Sequence, residues 1–600
     1  MTKINDQLFN SVLRRVRKPG RYTGGELNVA DKDFETASVR MVFAFPDLYE
    51  VGMSNQGLKI LYESVNSRRD MLMERVFAPA EDMEGELRRH GLPLFTLESH
   101  RAVSDFDLIG FSLQYELSYT NVLNMLDLAA IPLHSNERSE GDPLVIGGGP
   151  CAYNPEPLAP FFDLFVIGEA EEALPLLLEK LVLLKGQNHS RREILVSLSG
   201  SEGVYVPSLY RPLYRGGKLC GMEILDRRAP QSVDKITVPD LDRAPYPVAP
   251  VIPYIQVVHD RAVVEIFRGC ARGCRFCQAG FIFRPVRRRS RGKIVELARK
   301  LIDATGYDEL SLSSLSSADY PRIEKLIEEV DEVLQGRQVR TSLPSLRLDS
   351  YSVRLADRLH RGRRSSLTFA PEAATERLRR VIKKNITEED IFSALGDAVR
   401  AGWQGFKLYF MIGLPTESDE DVEAIVDLCR RIRQRFGGRG GKKLGLSVSV
   451  ATFIPKAHTP FQWEPQLELE KILARQKLLR DGFKTLPGVN FSWHEAEASF
   501  LEALFARGDR RLADLLEKAW ALGCRFDGWS EHFSFSRWRQ AFVESGLRPE
   551  EYIYRHFEYD DFLPWGHLRC GKESDFMVRD HREVYEEDHS QGVENEQDLV

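Results

Sequence analysis

Short apolar runs alternate with segments of helical spacing twice along this chain, and that alternation restricts the fold more than any other feature. VRMVFAF (39–45), FDLIGFSL (106–113), PLVIGGG (143–149) and the start of DLFVIGEAEEALPLLLEKLVLL (163–184) form the first series. Runs without polar alternation need cover on both faces, which parallel strands layered between helices receive. The first series therefore predicts a doubly wound parallel sheet of Rossmann type, with ligand-facing loops at its glycine-rich strand ends. The second series starts at AVVEIF (262–267). It continues through ELSLSS (309–314), VRTSLPS (339–345), SLTFAP (366–371), GFKLYFMIGLP (405–415) and LGLSVSVATFIP (444–455). Six such units predict a partial (β/α)6 barrel with its chemistry at the strand C-terminal ends. The expected class is α/β.

Boundaries follow from breaks in the pattern. Residues 1–37 read as a polar, basic extension with one amphipathic helix, and 38–185 as the first domain. Residues 186–254 read as a linker with short strands, because five prolines fall within PDLDRAPYPVAPVIP. The barrel is expected over 255–500 and a helical region over 501–580. Residues 581–600 hold seven acidic residues against one arginine and are expected to be a disordered tail.

Composition narrows the function. With 600 residues of which 43% are hydrophobic, the chain buries several cores, which excludes disorder for most of its length. A net charge of −7 argues against a surface coated in positive charge for nucleic acid. No apolar run approaches the roughly 18 residues of a membrane span. The first twenty residues lack the apolar stretch of a signal peptide, so the expected setting is cytoplasmic. Eight cysteines are too few for a disulfide scaffold, and any cluster of them points to metal or catalysis.

One cluster exists. In FRGCARGCRFCQAG, Cys270, Cys274 and Cys277 stand at Cys-x3-Cys-x2-Cys directly after a predicted strand. Three thiolates at that spacing converge on one small inorganic group, and Gly269 and Gly273 permit a tight wrap. A structural zinc site needs four ligands, and His259 and Cys220 lie at no normal spacing from the triplet. A cubane bound by three cysteines leaves one iron open to a small molecule. Zinc and unrelated core cysteines are the competing readings.

The triplet, with the aromatic Phe276 before its third cysteine, resembles the cluster loop of radical S-adenosylmethionine (SAM) enzymes. That resemblance implies a [4Fe–4S] cluster on Cys270, Cys274 and Cys277. It also implies SAM as co-substrate, reductive cleavage to a 5′-deoxyadenosyl radical, and an external electron donor of flavodoxin or ferredoxin type. It implies SAM contacts at Ser313 in SLSSLSSADY, at Glu372 in FAPEAATERL, and at Gly413, Pro415 and Glu417 in IGLPTE. Capped strand-to-helix turns account for each of these segments singly. FIPKAHTPFQW (453–463) is similar to a segment of the branch that includes methylthiotransferases and B12-binding members, and its His458 reads either as a proton-transfer group or as a satisfied loop histidine. The run FRPVRRRSRGK (283–293) reads as a solvated loop or as a grip on an anion, RNA phosphates included.

The first domain resembles the B12-binding domain of many radical SAM proteins. The resemblance implies cobalamin contacts at Gly147, Gly148, Gly168 and Glu169. At Asp47-Leu-Tyr49-Glu-Val-Gly52 it departs from the Asp-x-His-x-x-Gly pattern that supplies a lower axial ligand, because Tyr49 stands in the histidine position. The domain order resembles uncharacterised B12-binding-domain-type radical SAM proteins. Cys429, Cys524 and Cys570 have no paired spacing, so no second cluster is expected. The expectation is a radical SAM enzyme acting on an unknown substrate, with cobalamin-dependent methyl transfer as the finer reading. The alternatives are an RNA-modifying, methylthiotransferase-like enzyme and a non-catalytic iron–sulfur or corrinoid-binding regulator.

Overall fold

The structure is a computed structural model that describes residues 6–344, 350–359, 366–437, 445–571 and 574–597. Its first sheet holds β1 (Val39–Phe45), β2 (Met71–Phe77), β3 (Leu108–Ser112), β4 (Leu144–Gly148), β5 (Leu164–Val166) and β6 (Val204–Tyr205), in the order β2-β1-β3-β4-β5-β6. The first five are parallel and β6 is antiparallel. Every residue of β2 is buried and only Arg40 of β1 is not, as strands covered by helices on both faces require.

After this sheet comes a hairpin of β7 (Tyr210–Arg215) and β8 (Lys218–Ile224), then β9 (Val233–Asp234). The barrel forms in two parallel sheets. One holds β10 (Ala262–Glu265), β13 (Glu309–Ser313) and β14 (Arg340–Ser342). The other holds β15 (Leu367–Glu372), β16 (Gly405–Ile412), β17 (Gly445–Thr452) and β18 (Val489–Trp493). Between β10 and β13, a two-stranded ribbon of β11 (Phe267–Arg268) and β12 (Arg287–Arg288) brackets the thiol loop. The seventh barrel strand, β18, is additional to the six expected. Its Asn490 and Ser492 are exposed polar residues that leave Val489–Trp493 without a continuous apolar run.

The helical C-terminal region packs on the first domain. Phe500, Leu504, Leu516 and Trp538 belong to the same buried core as Val42, Leu126 and Phe161. Specific contacts fasten it there: Asn154 donates to the carbonyls of Ala506 and Gly508, Arg510 pairs with buried Glu156 at 2.9 Å, and Thr120 donates to Asp527 at 2.8 Å.

The last helix, Ser574–Gln597, runs through the segment expected to be a disordered tail from residue 581. Val584 is fully buried and His581 is 1% exposed, because the one apolar and aromatic edge of this acidic segment lies against the barrel. Residues 598–600 of that segment lie outside the described residues. Among the described residues no helix is long and apolar enough to cross a membrane.

Candidate active site

Gly269 and Gly273 let the thiol loop turn back on itself, at φ 89° and 74°. A Cβ on Gly269 would lie 2.7 Å from the Phe283 carbonyl oxygen, so the loop closes on its own return strand only with glycine there. The Cys277 N–H donates to the Cys274 carbonyl, and the Gly280 N–H to that of Cys277. All three cysteines are free thiols of intermediate exposure. Burial pushes Cys274 up to about 11 and also raises Cys277. Cys270 and Glu372 add to both shifts, Cys277 adds to that of Cys274, and Lys384 opposes both, as does the Gly280 N–H at Cys277. These five side chains therefore share one electrostatic neighbourhood, and an electropositive inorganic group between the thiols would relieve the cost of ionising them.

The loop is held rigidly. Arg275 is 1% exposed; its N–H donates to the Ile382 carbonyl at 3.1 Å and its guanidinium to that of Val381 at 2.9 Å. The same guanidinium meets Asp580 at 3.4 Å and Glu583 at 3.2 Å on the last helix. Phe276 packs into an apolar cluster with Ile382, Leu414, Phe461 and Val584.

The strand ends beside the loop carry the other expected SAM residues. Glu372 closes β15 in a left-handed conformation, φ 69°, where β15 loses register with β16. Its side chain is 16% exposed; desolvation raises its carboxyl, and Lys384 stands 3.3 Å away. Gly413 follows β16 at φ 82°, and its N–H donates to Glu417 at 2.5 Å. Arg475 pairs with the same Glu417 oxygen at 2.5 Å; burial still pushes that carboxyl up to about 8. Pro415 is buried inside this turn. Ser313 pairs with Glu265 across β10 and β13, and its carbonyl accepts the Ile266 N–H at 2.9 Å. Lys384, Arg475 and Arg275 were not singled out from the sequence, since a single basic residue on a helix or in a loop has no spacing signature.

The glycine-rich ends of the first sheet open on a cavity of about 300 Å³ that faces the barrel. Gly147, Gly148, Gly168 and Glu169 line it with Asn55, Tyr153, Glu265 and Arg268. Above Gly148 the nearest atom to an added Cβ is 3.6 Å away, so the backbone there forms a bare ledge. Gly168 is instead required by the linker, whose Ile236 carbonyl oxygen would sit 2.3 Å from a Cβ. Glu169 is bound to Arg287 through both oxygens, to Arg268 at 3.2 Å and to the Val238 N–H at 2.8 Å.

Asp47, Tyr49 and Gly52 lie apart from that cavity's lining. Tyr49 is 2% exposed and donates to Glu26 at 2.9 Å, Asp47 accepts from Trp529 Nε1 at 2.9 Å, and the Phe77 ring fills the Cβ position of Gly52. His458 is buried against Tyr153, with Nε2 3.0 Å from the Tyr153 carbonyl oxygen. Within the basic run, Arg287 is taken by Glu169 and fully buried Arg289 donates to the Glu265 carbonyl and lies over Tyr246.

Two family models match the chain. Residues 57–207 match the N-terminal region of radical SAM proteins, and residues 264–429 match the radical SAM superfamily. An uncharacterized protein of Methanocaldococcus jannaschii is 30% identical over 477 residues, covering 79% of this chain and 89% of that one. The chain belongs to the radical SAM superfamily.

An uncharacterized methyltransferase of Pyrococcus horikoshii is 26% identical over 34% of this radical SAM chain and 42% of its own. Among solved structures, the methyltransferase TsrM of Kitasatospora setae, with cobalamin and a [4Fe–4S] cluster bound, covers 69% of this chain and 72% of its own at TM-score 0.46 and 13% identity. The cobalamin-dependent radical enzyme OxsB, with aqua-cobalamin and SAM bound, covers 94% of this chain and 81% of its own at TM-score 0.46 and 12% identity. Membership of the radical SAM superfamily brings a [4Fe–4S] cluster and SAM as the working cofactors.

Proposed function

We propose that this radical SAM enzyme holds its cluster on Cys270, Cys274 and Cys277 and binds SAM along the ends of β15 and β16, through Glu372 and the Gly413–Glu417 turn. The observation that carries this reading is the glycine-turned loop of three thiols beside the end of β15, where Glu372 takes a left-handed conformation with Lys384 3.3 Å away. When bound, the reduced cluster supplies the electron that cleaves the SAM sulfonium to a 5′-deoxyadenosyl radical. The chain's own part is to orient and to exclude water. Arg275 fixes the loop against the barrel, and Phe276 with Leu414 and Phe461 seals its inner side. Glu372 and Glu417 offer buried carboxyl groups to an amine or to ribose hydroxyls. Their positions are set by Lys384 and Arg475 rather than by solvent. A second cavity of about 510 Å³ reaches Cys270 from outside past Lys235, Arg284 and Arg569, and its cationic rim suits an acidic flavodoxin- or ferredoxin-type donor.

The finer reading is cobalamin-dependent methyl transfer, with the corrinoid entering from the cavity between the first sheet and the barrel. The bare backbone ledge at Gly148 favours it, because a planar ligand can approach a backbone that carries no side chain. When bound, cobalamin supplies a methyl carrier. Tyr49, turned inward to Glu26 and outside that cavity's lining, would take no part in holding it. Anaerobic reconstitution with SAM and dithionite, with and without cobalamin, tests both levels. 5′-Deoxyadenosine without cobalamin supports the radical reading, and S-adenosylhomocysteine that needs cobalamin supports methyl transfer. A protein that retains no corrin yet cleaves SAM rejects the finer reading alone.

A further inference from the structure

Outside the thiol loop, the described residues bring a set of three ligand-type side chains together. Glu464, His556 and His581 each place a ligand atom within 4.8 Å of the other two. They come from three separate elements. Glu464 follows the turn Pro460–Trp463 beyond β17, His556 follows the short helix Glu550–Ile553, and His581 lies on the last helix. His581 Nε2 stands 2.6 Å from Glu464 Oε1, and His556 Nε2 stands 3.9 Å from the same oxygen.

The environment is that of a ligand set more than of a surface ion pair. Glu464 is 5% exposed and His581 1%, so a carboxylate and an imidazole have been taken out of water together. His581 Nδ1 lies 2.7 Å from the Tyr559 hydroxyl, the outer contact that orients a ligating imidazole and sets its tautomer. The Tyr585 hydroxyl donates to Glu464 Oε1 as well. The third member, His556, keeps 45% of its side chain exposed, which leaves a solvent-facing side for a water ligand. Two imidazoles and a carboxylate with one open position are a donor set suited to zinc and related borderline cations.

We propose that Glu464, His556 and His581 form a divalent-metal site of zinc type that fastens the last helix to the barrel. Its structural consequence follows from the chain. Asp580, next to His581, and Glu583 are the residues that meet Arg275 of the thiol loop. A metal ion there stabilises the folded arrangement of the helix by its own binding free energy, and so steadies the clamp on the cluster loop. The site is independent of the SAM and cobalamin assignments.

The test uses the full chain with its iron–sulfur cluster reconstituted, so that the loop thiols are occupied. The protein is stripped with a chelator, loaded with Zn(II), desalted, and measured for zinc and iron per chain and by X-ray absorption at the zinc edge. The expected result is one zinc per chain with a nitrogen and oxygen shell. His556→Ala, an exposed change that leaves folding intact, should lose the zinc at unchanged iron content. Tyr559→Phe should weaken zinc retention by about 10- to 100-fold, as outer contacts to ligating histidines do. Wild-type protein that holds no zinc, a sulfur shell at the zinc edge, or undiminished zinc in His556→Ala would each overturn the proposal and leave a hydrogen-bonded trio.

Discussion

Arg275, in the middle of the thiol loop, reaches Asp580 on the last helix across 305 residues of chain. Both side chains are 1% exposed, and Lys383 is the second cation on Asp580, at 2.5 Å. The loop that carries the chemistry is thus braced by the extreme C-terminal part of the protein.

That brace predicts a distal effect. Asp580→Ala removes one of the two carboxylates that meet the Arg275 guanidinium and leaves Glu583, so it should cost about 1.5–3 kcal/mol, the range of a hydrogen bond between charged groups. Thermal unfolding of the reconstituted protein should shift down accordingly, and its iron should be lost faster in air than in wild type. Iron loss at the wild-type rate would show that the helix does not support the loop.

Replacing Cys270, Cys274 and Cys277 with alanine should remove the iron and the cluster's visible absorbance altogether. Replacing buried Cys429 or Cys524 should leave both unchanged. A full iron complement in the triple variant would sink the assignment.

Glu372→Gln keeps the shape of a buried side chain and removes its charge. It should weaken SAM binding by about 10- to 100-fold, the 1.5–3 kcal/mol typical of a hydrogen bond to a charged group, while iron content stays constant. Equilibrium dialysis with labelled SAM decides it; equal affinity rejects the role.

Acid should destabilise the fold through two histidines. Burial holds His458 and His567 down at about 4, below the ordinary 6.5. Both are neutral in either state above pH 6.5, so they contribute no pH dependence there. As pH falls from 6.5 towards 4 the unfolded chain takes up protons that the folded one refuses, and stability drops. The loss reaches about 3 kcal/mol per histidine at 1.36 kcal/mol per unit. The melting temperature of His458→Gln should therefore fall less steeply over that range than that of wild type; parallel curves would refute the assignment.

Tyr49→Phe separates a packing role from a cofactor role. It removes one buried hydrogen bond to the Glu26 carboxylate, which is paired with Arg75, and should cost about 1.5–3 kcal/mol. Corrin retention, measured by absorbance of protein loaded with cobalamin, should not change, because Tyr49 lies outside the cavity lining.

What the sequence determined by itself was local. The apolar runs specify parallel strands because a strand covered on both faces has no polar alternation, as β1 and β2 illustrate. The spacing of Cys270, Cys274 and Cys277, with Gly269 and Gly273, specifies a tightly turned loop that carries three thiols within eight residues of chain. Tertiary structure decided everything that needed distant partners. Gly168 and Glu169 carry a ligand-loop pattern, yet the linker's Ile236 and the barrel's Arg287 occupy their surroundings. The C-terminal helices could not be assigned to the first domain's core from their spacing, since amphipathic helices do not say which apolar surface covers them. The tail read as disordered because its charge outweighs its few apolar residues. In the fold, His581 and Val584 are buried on the last helix, Val584 in a cluster with Val381, Leu414 and Phe461, partners too distant in sequence to be read from the segment itself.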